Sequence, residues 1–308
     1  MAHRHLDQAG PDREHRGRQA SRRLGVVLAL TATYALAELV GGWLANSLAL
    51  LADAGHMLGD MMALSLALVA AWTARRPADP ARTYGYRRVE ILAALFNGVA
   101  LIVIALFIFL EAWERLSQPP DVAWGLMAAV AAGGLAVNVV GAWLLHRHQH
   151  GMNVRAAYLH VLGDLLGSIG TLVAAALIAL FGWRWTDPAI SVVIGVVIVV
   201  GAVRLVLDAV NVLLEGAPAH LRTEDVRQTL AGVGGVADVH DLHLWSLGGD
   251  APLLSAHLVL DGTRAADRVL RRATRELSER FGIDHATLQL EPPDFNVIQT
   301  LETRADDE

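Results

Sequence analysis

The chain contains no cysteine and no lysine among its 308 residues. The absence of cysteine excludes disulfide bonds and thiolate metal sites, so any bound metal has to be held by histidine and carboxylate side chains. All 25 basic residues are therefore arginine, a bias that indicates a GC-rich bacterial genome. The net charge of -6 gives the chain no overall basic character, which argues against nucleic acid as a partner.

Long apolar runs dominate the sequence, with 54% hydrophobic residues and a mean hydropathy of +0.40. A membrane-spanning helix needs about 20 consecutive, mostly apolar residues. Because residues 1–23 are polar and the next run has full spanning length, we expect no cleavable signal peptide. The sequence predicts an α-helical membrane protein with six transmembrane helices, at about 24–45, 47–72, 89–113, 122–145, 156–181 and 187–207.

The sequence divides into four expected segments. These are a His- and Arg-rich leader at 1–23, a transmembrane domain at 24–214, a C-terminal domain at 215–293 and a tail at 294–308. The leader is polar enough to be disordered.

The C-terminal domain shows amphipathic and alternating patterns that predict the order helix, strand, strand, helix, strand (αββαβ). The expected bounds are 223–231 and 265–281 for the helices, and 236–247, 253–260 and 286–290 for the strands. This order is compatible with a small open-faced α/β sandwich.

Clusters of ionisable side chains at helical spacing occur inside two of the apolar runs. Asp53, His56 and Asp60 share one face of the second predicted helix, because their spacing of three and then four residues matches the helical period. His160 and Asp164 repeat the His-x-x-x-Asp spacing in the fifth. An ionisable side chain at membrane depth is costly and indicates a functional site. Side by side, the two helices would supply two imidazoles and two carboxylates, a ligand set suited to tetrahedral zinc.

Other polar side chains in or beside these runs are open to two interpretations. Glu38, Asn97 and Asn138 either line the same passage or form hydrogen bonds between helices. Asp53 is either an entry or exit ligand for the metal, or it caps a local bend or faces water near the outer surface. The tract HRHQH at residues 146–150 is either a metal-collecting loop or a hydrophilic turn.

Histidines in the predicted C-terminal strands form a second group of candidate metal ligands. The group consists of His240 and His243 in the first strand, His257 in the second, and His285 with Glu291 around the third. Residues three apart in a regular strand face opposite sides, so only one of His240 and His243 can join His257 in one site. Each histidine alone would be an ordinary strand residue, but the group predicts a metal site in this domain.

The distribution of arginine predicts the orientation in the membrane. The leader has six arginines and the connection between helices 2 and 3 has five, whereas the connection between helices 1 and 2 has none. By the positive-inside rule both termini are cytoplasmic. At about 1.5 Å per residue, the two His-x-x-x-Asp motifs then lie roughly 12 to 20 Å deep from opposite sides, near the same midplane level.

Together these motifs resemble the cation diffusion facilitator family of divalent-metal transporters. The resemblance covers nearly the whole chain after the leader. It is carried by paired His-x-x-x-Asp motifs on two helices together with the C-terminal motifs, and the landmarks are SLALLADAGHMLGD, YGYRRVEILAALFNG, AAYLHVLGDLLGS, TDPAISVVIG, VHDLHLW, SAHLVL and HATLQLEPP.

The resemblance implies a homodimeric antiporter that exports Zn²⁺ from the cytoplasm in exchange for protons. Its transport site would consist of His56, Asp60, His160 and Asp164, a set that also accepts Cd²⁺ and Co²⁺. The use of arginine in place of lysine, typical of a GC-rich bacterial genome, indicates the plasma membrane. We expect no enzymatic activity and no prosthetic group. The resemblance also implies a metallochaperone-like cytoplasmic domain that dimerises and can bind further metal, with His257 and Glu291 at positions used in the family.

Two alternatives come from other functional classes. In a membrane-anchored metal sensor, the C-terminal domain would bind zinc and the helices would only anchor it. In an intramembrane zinc hydrolase, an open zinc position would activate water. Six helices with two buried motifs exceed what an anchor requires, and no separate general base or nucleophile motif stands out within the apolar runs.

Overall fold

A computed structural model of the chain describes residues 11–146, 152–248 and 252–293. Within these ranges the backbone forms eight helices and three strands. The six long helices are α1 (Pro11–Ala45), α2 (Leu48–Ala74), α3 (Arg88–Ser117), α4 (Trp124–His146), α5 (Met152–Phe181) and α6 (Thr186–Leu213). The predicted metal-collecting tract of His146, His148 and His150 lies outside the residues whose side chains are described.

Five helices within the described ranges are long and apolar enough to cross a membrane. They are Leu48–Ala74, Arg88–Ser117, Trp124–Leu144, His160–Phe181 and Thr186–Leu213. In α1 the apolar segment is shorter, Ala29–Ala45, so the sixth span stays a prediction.

The first helix begins earlier than the sequence suggested. α1 starts at Pro11, so the leader backbone from there to residue 23 is helical and the expectation of disorder was wrong for it. Proline suits the first helical position, and the arginines and glutamine that follow are good helix formers. High polarity alone therefore did not prevent a helix here.

The chain forms two compact units. The described residues of one unit lie within 1–65 and 97–203, and those of the other lie within 66–96 and 204–308. The first unit contains most of the apolar helices, and its outward faces expose large apolar side chains such as Trp43, Phe107 and Leu180. Such a surface is stable in lipid rather than in water.

Two apolar clusters organise the first unit. One joins α1, α2, α4 and α5 through small and medium side chains such as Ala49, Met127 and Ala175. The other joins α2, α3 and α6, for example through Ala52 and Ala105. Alanine at these contacts lets helix backbones approach closely. Helix α2 belongs to both clusters.

The N-terminus of α2 is capped by a side chain of α6. Asp187 is fully buried, and its Oδ1 accepts a hydrogen bond from Ser47 Oγ at 2.6 Å. The backbone N–H groups of Leu48 and Ala49 donate to the same carboxylate at 2.8 and 3.2 Å. The first N–H groups of a helix have no partner within it, and a negative charge is favoured there. Asp187 therefore fixes the start of α2.

The connection between α2 and α3 is folded around Asp79. Its carboxylate accepts hydrogen bonds from the N–H groups of Ala81 and Arg82 at 2.9 and 2.8 Å, and from the Tyr86 hydroxyl at 2.9 Å. The hydrogen bond from Tyr86 is the main reason that the pKa of Asp79 lies below its usual range. These contacts hold the arginine-rich connection in a defined turn.

The C-terminal domain has the predicted αββαβ order. Strand β1 (Val236–Ser246) runs antiparallel to β2 (Pro252–Leu260), which pairs in parallel with β3 (His285–Glu291). Helices α7 (Thr223–Ala231) and α8 (Ala266–Phe281) pack against the sheet over a core that includes the side chains of Leu230, Leu258 and Leu277. The expected small α/β domain is confirmed.

Strand β1 carries a bulge between His240 and His243. His240 pairs with His257 and His243 with Ser255, so three steps along β1 match two along β2. Asp241, with a φ of 49°, absorbs the additional residue. Because Ser255 and His257 are two apart, they face the same side, and so do their partners. The expectation that His240 and His243 face opposite sides is therefore wrong.

We predict that Asp187→Ala lowers the stability of the first unit. The substitution leaves two buried N–H groups without an acceptor, each at a cost of about 1–3 kcal/mol. Thermal unfolding of the purified chain in detergent should show a lower melting temperature. Asp121→Ala is the matched control, because the Asp121 carboxylate is 85% exposed and its pair with Arg184 contributes little. Equal melting temperatures for the two variants would contradict the capping role.

Candidate functional site

Four ionisable side chains of α2 and α5 meet in the first unit. The oxygen Oδ2 of Asp60 lies 3.6 Å from Nε2 of His56 and 3.3 Å from Nε2 of His160. Asp164 Oδ2 lies 3.6 Å from the same nitrogen of His160, and the two imidazole ring centroids are 5.9 Å apart. The spacing of four residues on each helix points both members of a pair toward the other helix.

The positions of these donor atoms fit one divalent cation. The candidate ligand atoms of His56, Asp60 and His160 all lie within 4.8 Å of one another. Zinc holds nitrogen and carboxylate oxygen at about 2.0–2.2 Å, so two of its ligands lie at most about 4.4 Å apart. The 3.3 and 3.6 Å separations are already within that limit. Asp164, adjacent to His160, completes a set of two imidazoles and two carboxylates.

Several polar atoms of this set make no hydrogen bond within the described part of the chain. They are Asp60 Oδ2, Asp164 Oδ2 and His56 Nδ1. A buried polar atom without a partner is costly, and each such case calls for a reason. A cation bound by the two carboxylate oxygens supplies the reason, because it gives each of them a positive partner.

Three further buried polar residues, Asn138, Asp53 and Glu38, lie on the helices of the first unit. Asn138 Nδ2 on α4 donates to Ser168 Oγ on α5 at 3.3 Å, which favours the helix-to-helix interpretation for this residue. Asp53 is only 4% exposed, so it does not face water. It lies against α5, where a Cβ on Gly167 would be 3.5 Å from both of its carboxylate oxygens. Glu38 on α1 is also buried, at 1% exposure.

A second cluster lies on the sheet of the C-terminal domain. Glu291 at the end of β3 is 1% exposed, and its two oxygens lie 2.9 Å from His240 Nε2 and 3.0 Å from His257 Nδ1. The two histidine rings are 5.1 Å apart, and one ligand atom from each of the three residues lies within 4.8 Å of the others. Of the two histidines left undecided by the sequence, the structure therefore brings His240 to this cluster.

The structure leaves two predicted ligands outside the second cluster. His243 is 61% exposed and pairs with Asp241 at 3.0 Å. His285 begins β3, roughly 20 Å from Glu291 at the usual rise per strand residue. The sequence reasoning missed Asp241, whose Oδ2 lies 3.6 Å from His257 Nε2. Its position follows from the bulge, for which an aspartate in the pattern VHDLH was the one available signal.

The sequence matches two protein-family descriptions. Residues 24–214 match the cation efflux transmembrane domain, and residues 218–293 match the cytoplasmic domain of cation efflux proteins. The chain belongs to the cation efflux family. This membership confirms the resemblance to the cation diffusion facilitator family. It also identifies this cation efflux protein as a multi-pass membrane protein.

Three relatives match this cation efflux protein over most of their length. The "Cadmium, cobalt and zinc/H(+)-K(+) antiporter" of Bacillus velezensis is 40% identical over 95% of each chain. The "Zinc transporter ZitB" of Escherichia coli is 42% identical over 88% of this chain and 87% of the relative. The "Metal cation efflux system protein CzcD" of Cupriavidus metallidurans is 41% identical over 92% and 90%.

Among solved structures, the metal-bound C-terminal domain of the CzcD transporter from "Cuprividus metallidurans" is 30% identical. The match covers 23% of this cation efflux protein and 99% of the solved chain, with a TM-score of 0.22.

We predict that His240→Ala weakens zinc binding at the C-terminal cluster by at least about tenfold. Loss of a residue that only hydrogen-bonds to a metal ligand already lowers metal affinity by about that factor, and His240 would be a ligand itself. The measurement is zinc titration calorimetry on the full chain carrying Asp60→Ala and Asp164→Ala, which silences the other site. His243→Ala is the matched control and should leave the affinity unchanged. An equal loss in both variants would contradict the assignment of His240.

Proposed function

We propose that this chain is a secondary transporter, not an enzyme, that exports Zn²⁺ from the cytoplasm in exchange for protons. The observation that carries the proposal is the approach of His56, Asp60 and His160 to within 4.8 Å on helices able to cross a membrane, with Asp164 beside them. The relatives support it, because they are named as an antiporter for cadmium, cobalt and zinc, and as a zinc transporter.

Protons and zinc compete for the same ligand atoms, which couples the two fluxes. Zinc requires neutral imidazoles and ionised carboxylates. Histidine is the side chain that changes its charge near neutral pH. When the site faces the cytoplasm, it binds Zn²⁺ and releases protons. When it faces outward, protonation of His56 and His160 weakens the ligands and releases the metal, while Asp60 and Asp164 balance the positive charge in a medium of low dielectric.

Alternating access moves one group of helices against another. Helices α1, α2, α4 and α5 share one apolar cluster, whereas α3 and α6 share the other with α2. Both His-x-x-x-Asp motifs belong to helices of the first group, so the ligand set stays together while that group rocks against α3 and α6. The cluster between the groups includes small side chains such as Ala52 and Ala105, which let the helix backbones approach closely.

The transporter functions as a homodimer in the plasma membrane, with both termini in the cytoplasm. The arginine distribution supports this orientation. The match of residues 218–293 to a family's cytoplasmic domain supports the same side for the C-terminal domain. The cluster of His240, His257 and Glu291 binds further zinc there, outside the transport path. Cd²⁺ and Co²⁺ are further substrates that suit the transport ligands.

We predict that His160→Ala abolishes zinc flux. Its Nε2 is the atom that approaches both Asp60 and Asp164, so its removal breaks the ligand set at its centre. The assay follows zinc and proton movement in proteoliposomes with an imposed pH gradient. His220→Ala, at an exposed position of the second unit, is the control and should retain flux.

The same assay separates the proposal from its alternatives. A sensor would bind zinc in the C-terminal domain without any flux through the wild-type chain, and a hydrolase would consume a substrate without metal movement. Unchanged flux in an Asp164→Ala variant would show that zinc crosses elsewhere and would overturn the assigned transport site.

A further inference from the structure

A pair of buried carboxyl groups lies outside the four proposed zinc ligands. Glu38 on α1 and Asp53 on α2 are 1% and 4% exposed, and their carboxyl groups lie within hydrogen-bonding reach of each other. The Tyr34 hydroxyl, one turn before Glu38, lies 3.1 Å from Glu38 Oε1 and 3.0 Å from the carbonyl oxygen of Val130. A Cβ on Gly134 would collide with the Tyr34 ring, so α4 holds this tyrosine in place.

The contact between the two carboxyl groups requires a proton. An ionised carboxylate only accepts hydrogen bonds, so one partner has to be protonated for the pair to be joined. Glu38 Oε2 is buried, and no donor from the described residues reaches it. Two ionised carboxylates side by side and away from water would repel each other at a high cost. A single shared proton removes the repulsion and provides the missing donor.

The ionisable neighbours of the pair are a tyrosine and two proposed zinc ligands. Among the described residues, the titratable groups near Glu38 are Tyr34 on its own helix, Asp53 on α2 and Asp164 on α5. Asp164 and His160 on α5 are also near Asp53. Helix α4 contributes the neutral backbone of Val130 and Gly134. Asp164 is a proposed zinc ligand, so its charge is balanced by the metal rather than by Glu38. The pair therefore has to hold its own proton.

We infer that Glu38 and Asp53 form a proton-binding site, distinct from the zinc ligands, that retains one shared proton while the transport site carries Zn²⁺. The inference rests on the proposed transport function for its role in the cycle. The shared proton joins α1 to α2, the helix that carries His56 and Asp60. Loss of this proton at alkaline pH would make the two carboxylates repel each other and would separate α1 from α2.

Infrared spectroscopy of the zinc-loaded full chain at neutral pH tests the shared proton directly. Zinc keeps its own carboxylate ligands ionised, so the C=O band of a protonated carboxyl in the wild type reports the pair. Glu38→Gln should abolish the band, because the amide donates to Asp53 without a titratable proton, and Asp53→Asn should do the same if the first variant fails to fold. Tyr34→Phe, which leaves both carboxyl groups in place, should keep the band.

Zinc flux at rising pH, with the pH difference across the membrane held constant, gives the second measurement. Wild-type zinc flux should decrease as the pH becomes alkaline. Glu38→Gln should lack this decrease, because glutamine has no carboxyl proton to lose and only Asp53 can become charged. Three results would overturn the inference: no infrared band in the wild type, a band that survives in Glu38→Gln, or a band that disappears when K⁺ alone is added. The third result would show that the pair binds a monovalent cation instead. A wild-type chain that shows the band but no zinc flux would instead refute the proposed transport.

Discussion

The meeting of two helices that each carry a carboxylate inside the bilayer is the constraint on which the rest of the structure depends. Asp60 Oδ2 lies 3.3 Å from an imidazole of the neighbouring helix, and Asp164 is only 4% exposed. Lipid offers neither carboxylate a counter-charge, so each has to obtain one from an imidazolium or from a metal ion. The small-residue contacts of α1, α2, α4 and α5 and the Asp187 cap at the start of α2 hold the helices where that exchange is possible.

The meeting of the four proposed transport ligands was predictable because a helix has a fixed period. A spacing of four positions from His56 to Asp60, and again from His160 to Asp164, puts each pair on one helix face. The cost of isolated charges in lipid requires the two faces to meet. The Asp187 cap was not predictable, because it links residues 139 and 140 positions apart and capping by a distant helix leaves no local pattern. Helix α1 also extends into a polar segment. Apolar runs do not indicate such a segment, because its helix propensity comes from polar residues.

The C-terminal cluster shows where strand periodicity fails. Alternation assigned His240 and His243 to opposite faces, but one residue with a φ of 49°, Asp241, returns His243 to the face of His240. Sharing a face was still insufficient for joining the cluster. His240 lies directly opposite His257 and within 2.9 Å of Glu291, whereas His243 lies opposite Ser255 and turns to Asp241. Register across the sheet, which no single strand encodes, decides which histidine joins the cluster.

Charge balance relates the buried carboxyl pair to the zinc site. One Zn²⁺ compensates Asp60 and Asp164, and two protonated imidazoles compensate them equally, so exchanging the metal for two protons leaves the charge of the site unchanged. Glu38 and Asp53 would add two more negative charges to the same low-dielectric region. A proton retained between them limits the addition to one charge in both halves of the cycle. The helices that carry the ligands can then move between the cytoplasm-facing and the outward-facing states without a change in net charge. This keeps the electrostatic cost of the movement low.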